Sequence, residues 1–360
     1  MDALQSQNIS YFERNPRKTL FGVIIIILCF FVVLLEFYLR VSLSFNPSYY
    51  VTLSDMGKHT SYKYPFGMIY YNKDGFPDKE FNEIKSKPRI AYIGDSVCFG
   101  IGAGYGYRIS EVLKNEMPQY EHLNLGFGGK EHGNGCDIDK IDKIVSWGKK
   151  FKIDKLIYLM NLNDILPTNI EQPTDKLWII KFKNYFDWLR GNSYLFTYLR
   201  YCIKNYYMRQ GYEYLGLEAY ELYPEKNKSI IQETIERIQL LNNKLRKENI
   251  EFIVVILPYE MQISQAAEKK YEDLGAKWSQ GFINRGPQKL IEEYLIRYNI
   301  NYIDAYFAFI DQNNVEGGRG KNGLGEYFVY NKGDRLDWNH PNRVGHKKIA
   351  DYIYLKLNKL

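Results

Sequence analysis

The chain has 360 residues, 45% of them hydrophobic and 25% charged, so it can build a packed core and is not a disordered polymer. Its net charge of +6 comes without a basic stripe interleaved with aromatics, which argues against a nucleic-acid partner and suits a domain near anionic lipid or cell-wall polymer. Four cysteines without Cys-x-x-Cys spacing exclude a zinc ribbon, a redox pair and a disulfide-dense scaffold.

The first element is apolar. Thr19 to Tyr38 reads TLFGVIIIILCFFVVLLEFY with Glu36 as its single charge, about twenty residues, the length that crosses a ~30 Å hydrocarbon core. No small-residue cleavage site follows, so residues 19–39 are predicted to be a retained transmembrane helix, with a cleaved signal as the lesser alternative. Arg14, Arg17 and Lys18 precede the span and Arg40 follows it. The positive-inside bias places residues 1–18 in the cytoplasm and everything beyond residue 39 in the periplasm or at the cell surface. Residues 40–87 read as linker and lead-in, without a sustained period.

A regular alternation then begins. Arg89 to Ile93, His122 to Leu125, Leu156 to Met160, Phe252 to Leu257 and Tyr302 to Ile303 are short apolar runs. Helical spacing occupies Tyr107 to Met117, Ile138 to Lys149, Lys226 to Glu248, Gln288 to Tyr298 and Val344 to Leu357. Strands alternating with helices predict a parallel sheet of about five strands covered on both faces. Residues 165–225 break the rhythm with a dense set of aromatics, among them Trp178, Phe186, Tyr194 and Tyr201, and with Lys181, Arg190, Arg200 and Lys204. They read either as an inserted cap that shapes the site or lies on the membrane, or as helices packed on the domain. The 33 tyrosines suit a sugar-binding or interfacial surface, and an AT-rich genome would produce them as well.

In a doubly wound domain ligands bind at the carboxyl ends of the strands, and the polar motifs fall there. The first strand ends in Gly94-Asp95-Ser96, which places a hydroxyl on a strand-to-helix turn next to helix N–H groups. The second ends in a loop with Gly126, Gly128 and Gly129, whose backbone can approach a ligand closely. The third ends in Asn161-Leu162-Asn163-Asp164, where a side-chain amide can donate to an oxyanion. Asp337-Trp338-Asn339-His340-Pro341-Asn342 stands just before the last helix. A carboxylate three residues before an imidazole can orient it as the base for a serine. Each signal alone is also an ordinary turn or cap; together they converge on one edge of the sheet.

This ordered set resembles the SGNH (GDSL-like) hydrolase superfamily. Its four blocks map to Ser96, Gly129, Asn163 and His340, with Asp337 as the acid, and the closing block extends through Asn342 and Gly345 to Ile349-Ala350. Tyr71-Asn72-Lys73-Asp74-Gly75-Phe76 is similar to the lead-in of membrane-anchored bacterial members. The resemblance spans residues 89 to 357 and implies a three-layer, flavodoxin-like catalytic domain over residues 88–360. It also implies a Ser96-His340-Asp337 triad, with an oxyanion held by Gly129, Asn163 and the Ser96 N–H. Two positions depart from the pattern or leave it open. Asn161 stands where the third block carries a glycine, which would narrow the pocket or rotate Asn163, and the glycine donor is any of 126, 128 and 129. Cys98 reads as a packing residue rather than a second nucleophile.

Gly100-Ile101-Gly102-Ala103-Gly104 invites a dinucleotide reading, but Tyr105 occupies the third-glycine position. The five histidines show no zinc spacing, and no metal or cofactor is expected. Three functions remain open. The first is an esterase removing acyl or acetyl groups from a surface glycan or lipid, with water resolving the acyl-serine. The second is an O-acyltransferase modifying a surface polysaccharide beside proteins that assemble it. The third is an inactive glycan-binding or scaffold domain.

Overall fold

The computed structural model describes residues 11–42, 61–64, 67–126, 138–166, 185, 189, 193–209, 220–273, 276–310, 322–329 and 338–358. Gly128, Gly129 and Asp337 lie outside the described residues, as do most of positions 167–192.

Five parallel strands form the sheet: β1 (Arg89–Gly94), β2 (Glu121–Asn124), β3 (Lys155–Met160), β4 (Glu251–Ile256) and β5 (Asn301–Asp304). Their spatial order is β2-β1-β3-β4-β5. The chain winds one way from β1 to β2, then crosses back to β3. That reversal opens a crevice at the carboxyl ends of β1 and β3, where doubly wound sheets bind ligands.

Successive strand side chains point to opposite faces, and each face has its own core. Ala91, Ile93, Leu156, Tyr158, Phe252 and Val254 pack on one side beneath α4 (Ile138–Lys150), α6 (Lys228–Lys247) and α7 (Gly286–Arg297). Ile90, Tyr92, Ile157, Leu159, Ile253 and Val255 pack on the other beneath α3 (Ile109–Glu116) and α8 (Arg343–Leu357). Burial on both faces is the reason these strands read as continuous apolar runs rather than as alternating ones. α2 (Ser96–Phe99) is a single turn leaving β1.

Outside this domain, α1 (Pro16–Ser42) runs for 27 residues and is long and apolar enough to cross a membrane, with none of its apolar window buried. α5 (Tyr194–Arg209), within the insertion, packs against α1.

The structure adds elements that periodicity does not announce. Within the expected linker, Ser61–Tyr64 and Gly67–Tyr70 pair as an antiparallel ribbon, each strand too short to show a period. The lead-in is a tied turn. Asn72 Oδ1 accepts the N–H groups of Asp74 and Phe76, both at 3.0 Å. Gly75 takes φ 83°, and Phe76 is buried edge-on against Trp147 at 5.0 Å. Between β4 and α7 lie three short helices, Glu260–Ile263, Gln265–Asp273 and Gln280–Ile283.

Candidate active site

The turn that carries Ser96 is shaped by what cannot fit. At Gly94 φ is 151°, and an added Cβ would lie 2.6 Å from the Leu159 carbonyl of β3, so only glycine lets β1 end this close to its neighbour. Asp95 then caps α2, its Oδ1 accepting the Val97 N–H at 2.9 Å. Ser96 follows as the first residue of the turn, half-buried, with its Oγ 2.8 Å from His340 Nε2 and 3.2 Å from Asp95 Oδ2. A hydroxyl has one proton and two acceptor lone pairs. With neutral His340 the proton points to Nε2. With a protonated imidazole, Nε2 donates to Oγ and the hydroxyl turns to Asp95. Both states are hydrogen-bonded, which suits a pair that exchanges a proton.

His340 reaches the serine on a loop held from several directions. Its carbonyl accepts the Val329 N–H at 2.9 Å, and the Asn342 N–H reaches the Tyr327 carbonyl at 2.9 Å. Asn342 caps α8, accepting from Val344 and Gly345 N–H at 2.9 and 3.0 Å. Its amide donates to the carbonyls of Gly325, Glu326 and Phe328, each at 3.1 Å. On the other flank the Glu260 N–H donates to the Trp338 carbonyl at 2.8 Å. The buried Glu260 carboxylate accepts the Gly325 N–H at 2.6 Å and the Tyr271 hydroxyl at 2.7 Å. Tyr271 in turn meets the Trp338 ring edge-on at 5.7 Å.

The run 100–104 serves this contact and is no dinucleotide loop. Gly100, Gly102 and Gly104 all take positive φ, and a Cβ at Gly102 would sit 2.2 Å from the Pro341 carbonyl. The absent side chain is what lets the histidine turn close onto the loop after the serine.

Of the expected oxyanion donors, Asn163 is described. It lies half-buried in a 3-10 turn, Leu162–Asp164, straight after β3. Its Oδ1 is buried without a hydrogen-bond partner. Among the three glycines, Gly126 is committed elsewhere: its N–H donates to Asn124 Oδ1 at 2.8 Å. A Cβ there would lie 2.7 Å from the Cys98 and Phe99 backbone. That leaves 128 and 129, outside the described residues together with Asp337.

Asn161, the departure from the glycine pattern, is fully buried. Its amide donates to Asp95 Oδ2 at 3.3 Å, so the side chain supports the helix cap beside Ser96. Below it, Asp164 Oδ2 accepts the Tyr158 hydroxyl at 2.8 Å and the Asn161 N–H at 3.1 Å. Burial, with the Asp95 charge nearby, holds the Asp164 carboxyl well above the usual carboxylate range. Burial likewise raises Glu221 to about 7, where it accepts the Tyr259 hydroxyl at 3.0 Å.

Cys98 is buried, its Sγ 3.7 Å from Asn124 Oδ1. Burial pushes its thiol well above its ordinary value, the environment of a packing residue and not of a nucleophile. Among the described residues, no group of three or more His, Cys, Asp or Glu side chains is placed to hold a metal ion. The sequence offered Gly94-Asp95-Ser96 as a turn and cap and carried Asn342 within the closing block, but nothing in the pattern marks Glu260, eighty residues before the histidine.

No protein-family model matches the chain, and no curated protein matches it. Solved structures do. A lipolytic protein of the G-D-S-L family from Desulfitobacterium hafniense aligns at 14% identity and TM-score 0.39, over 75% of this chain and 99% of that one. One of the same family from Veillonella parvula aligns at 15% and 0.35, over 76% and 99%. A catalytic mutant of an acetylxylan esterase from Geobacillus stearothermophilus aligns at 12% and 0.38, over 77% and 96%. At these identities and scores the likeness carries no weight for function, which is read from the site itself.

Proposed function

We propose that the chain is a serine esterase that removes acyl or acetyl groups from a carbohydrate or lipid, held at a membrane by α1. The observation that carries this reading is the 2.8 Å contact between Ser96 Oγ and His340 Nε2 at the switch point of a parallel sheet. A hydroxyl on a glycine-enforced turn, hydrogen-bonded to an imidazole, is the arrangement that activates serine as a nucleophile.

His340 Nε2 takes the Ser96 proton as Oγ bonds to the ester carbonyl carbon. The carbonyl electron pair moves to oxygen, and the oxyanion is held by the Asn163 amide and by backbone N–H groups at Ser96 and Gly129. Such a donor is worth about 3–4 kcal/mol in other hydrolases. Collapse breaks the bond to the alcohol oxygen, which leaves with the proton from His340. Water, deprotonated by the same imidazole, then releases the acid and frees Ser96. Asp337 fixes the imidazole orientation. A sugar hydroxyl in place of that water would turn the same cycle into acyl transfer.

α1 leaves residues 1–18 in the cytoplasm and the catalytic domain on the opposite side. The test is fluorophosphonate labelling of the detergent-solubilised full-length protein. Labelling of the wild type that is lost in Ser96→Ala and His340→Ala is the expected result. A folded wild type that takes no label while hydrolysing no aryl acetate would sink the reading. Product analysis with sugar acceptors added then separates hydrolysis from transfer.

A further inference from the structure

The apolar helix α1 carries one acid, Glu36, and its surroundings are unusual for a span end. Glu36 Oε1 accepts the Tyr194 N–H at 2.9 Å. Oε2 accepts the Leu195 N–H at 2.8 Å and the Ser193 hydroxyl at 2.9 Å. Arg40, one turn on, pairs with the same carboxylate at 2.7 Å, and its guanidinium lies over the Tyr194 ring, 4.9 Å from the centroid. A side chain of α1 thus caps the first turn of α5, 158 residues away in sequence.

The depth of that cap follows from helix geometry. Seventeen residues separate Thr19 from Glu36. At a rise of 1.5 Å each they span about 26 Å, close to the ~30 Å hydrocarbon thickness. Glu36 therefore stands where the apolar core gives way to headgroups. A carboxylate at that depth is costly unless it is fully hydrogen-bonded, and α5 and Arg40 supply the donors. The start of α5 is fixed at the bilayer boundary.

α5 also presents an apolar stripe. Leu199, Cys202, Ile203 and Tyr206 recur at helical spacing and are exposed, Leu199 by 50% and Ile203 by 54%. The stripe lies on the helix whose first turn α1 caps.

We infer that α5 is a second membrane-contacting element, lying in the interfacial layer of the bilayer with Leu199, Cys202 and Ile203 in lipid and hinged to the span through Glu36. The inference rests on α1 crossing the membrane, as proposed above. It gives the insertion after Asn163 a definite role: it holds the catalytic domain against the lipid surface at a second point, as amphipathic interfacial helices do.

Two native cysteines test it. Full-length protein is reconstituted in phosphatidylcholine–phosphatidylglycerol nanodiscs with Cys98 and Cys136 replaced by alanine and either Cys29 or Cys202 retained. A nitroxide on the retained thiol reports collisions with oxygen, which concentrates in lipid, and with a water-soluble nickel chelate. The expected result is lipid-like accessibility at both sites. Glu36→Ala is expected to raise nickel collisions at Cys202 several-fold, with Cys29 unchanged and Glu36→Gln, which keeps one acceptor oxygen, in between. Cys29 in lipid with Cys202 in water overturns the inference and leaves the anchor standing. Cys202 shielded from both reagents overturns it as well, because protein then covers α5. Cys29 in water overturns the anchor and the inference together. Should Glu36→Ala fail to insert, the wild-type accessibility at Cys202 decides.

Discussion

Ser96 and His340 meet at 2.8 Å, but their supports differ in kind. The serine turn is built mostly locally: Gly94, Asp95 and the first turn of α2 are consecutive, with braces from the β3 end through Asn161 and from the β2 end through Asn124, whose amide donates to the Cys98 carbonyl at 2.8 Å. The histidine loop is built from a distance. It depends on Glu260 and Tyr271, more than sixty residues earlier, on the carbonyls of residues 325–328, and on the cap of α8. A local turn tolerates loss of a distant contact. A loop held by several such contacts yields by degrees as they are removed.

The largest expected effect is on the local side. Gly94→Ala puts a Cβ 2.6 Å from the Leu159 carbonyl at φ 151°, so the end of β1 must shift and Ser96 with it. A shift of about 1 Å at a reacting atom costs on the order of 100-fold in rate. Steady-state hydrolysis of an aryl acetate by the variant measures it, and a variant with wild-type kcat/KM would show that the turn is not shape-limited.

On the distant side, Glu260→Ala removes the acceptor for Gly325 N–H and Tyr271 hydroxyl while leaving every motif residue in place. Stranding buried donors costs about 1–3 kcal/mol. The expected outcome is roughly a tenfold loss of kcat, from the relation between free energy and rate, with a lowered unfolding midpoint. Glu260→Gln, which keeps one acceptor oxygen, recovers part of both. If both variants keep full activity, the histidine loop does not need this brace.

Asn161→Gly, which restores the common residue of the third block, tests the brace from the β3 end to the cap beside Ser96. It removes the 3.3 Å hydrogen bond to Asp95, worth about 1 kcal/mol. A loss of activity of roughly fivefold is expected, seen in kcat more than in KM because the change acts on Ser96 and not on substrate contacts. An unchanged kcat would leave Asn161 a packing residue only.

The last prediction concerns stability and not rate: two buried histidines make the fold sensitive to acid. His122 is held down to about 4 by burial, its ring bonded to the Tyr92 hydroxyl at 2.7 Å and the Met117 carbonyl at 3.0 Å. His346, fully buried in α8, is held down to about 3, again by burial, which outweighs the contact with the Ile101 backbone. Both must stay neutral in the fold. The unfolded chain takes up these protons near pH 6.5 and the folded one only near 4 and 3. Stability is therefore lost as pH falls from 6.5 towards 4, by up to about 1.4 kcal/mol per pH unit for each residue. Asp78, raised to about 6 by burial, acts with the opposite sign in part of that window, so the difference between variants is the measurement. Urea unfolding of His346→Leu across pH 4–7 should show a shallower acid limb than wild type, and parallel curves would refute the assignment.

Much of this was legible in the sequence because the sheet is buried on both faces and its strands follow one another in order. β1, β3 and β4 could be read as apolar runs, and their carboxyl ends marked Ser96 and Asn163 as neighbours. The cap at Asp95 was legible as the ordinary turn-and-cap reading of Gly94-Asp95-Ser96, and Asn342 as part of the closing block, though not as the cap of α8. The ribbon at 61–70 was not, since four-residue strands are too short for a period. Nor was the brace from Glu260, because a buried carboxylate bonded to a distant N–H leaves no pattern in the chain. The direction taken by Asn161 was undecidable too, since an amide that fills a pocket and one that braces a cap are the same letter.

The contact between Ser96 and His340 joins positions 244 residues apart. During synthesis Ser96 and its glycine turn therefore emerge long before His340 exists. On the reading proposed above, the hydroxyl has no base to pair with until the segment carrying His340 has been made and docked against the sheet, so the spacing of the pair would act as a timer on reactivity.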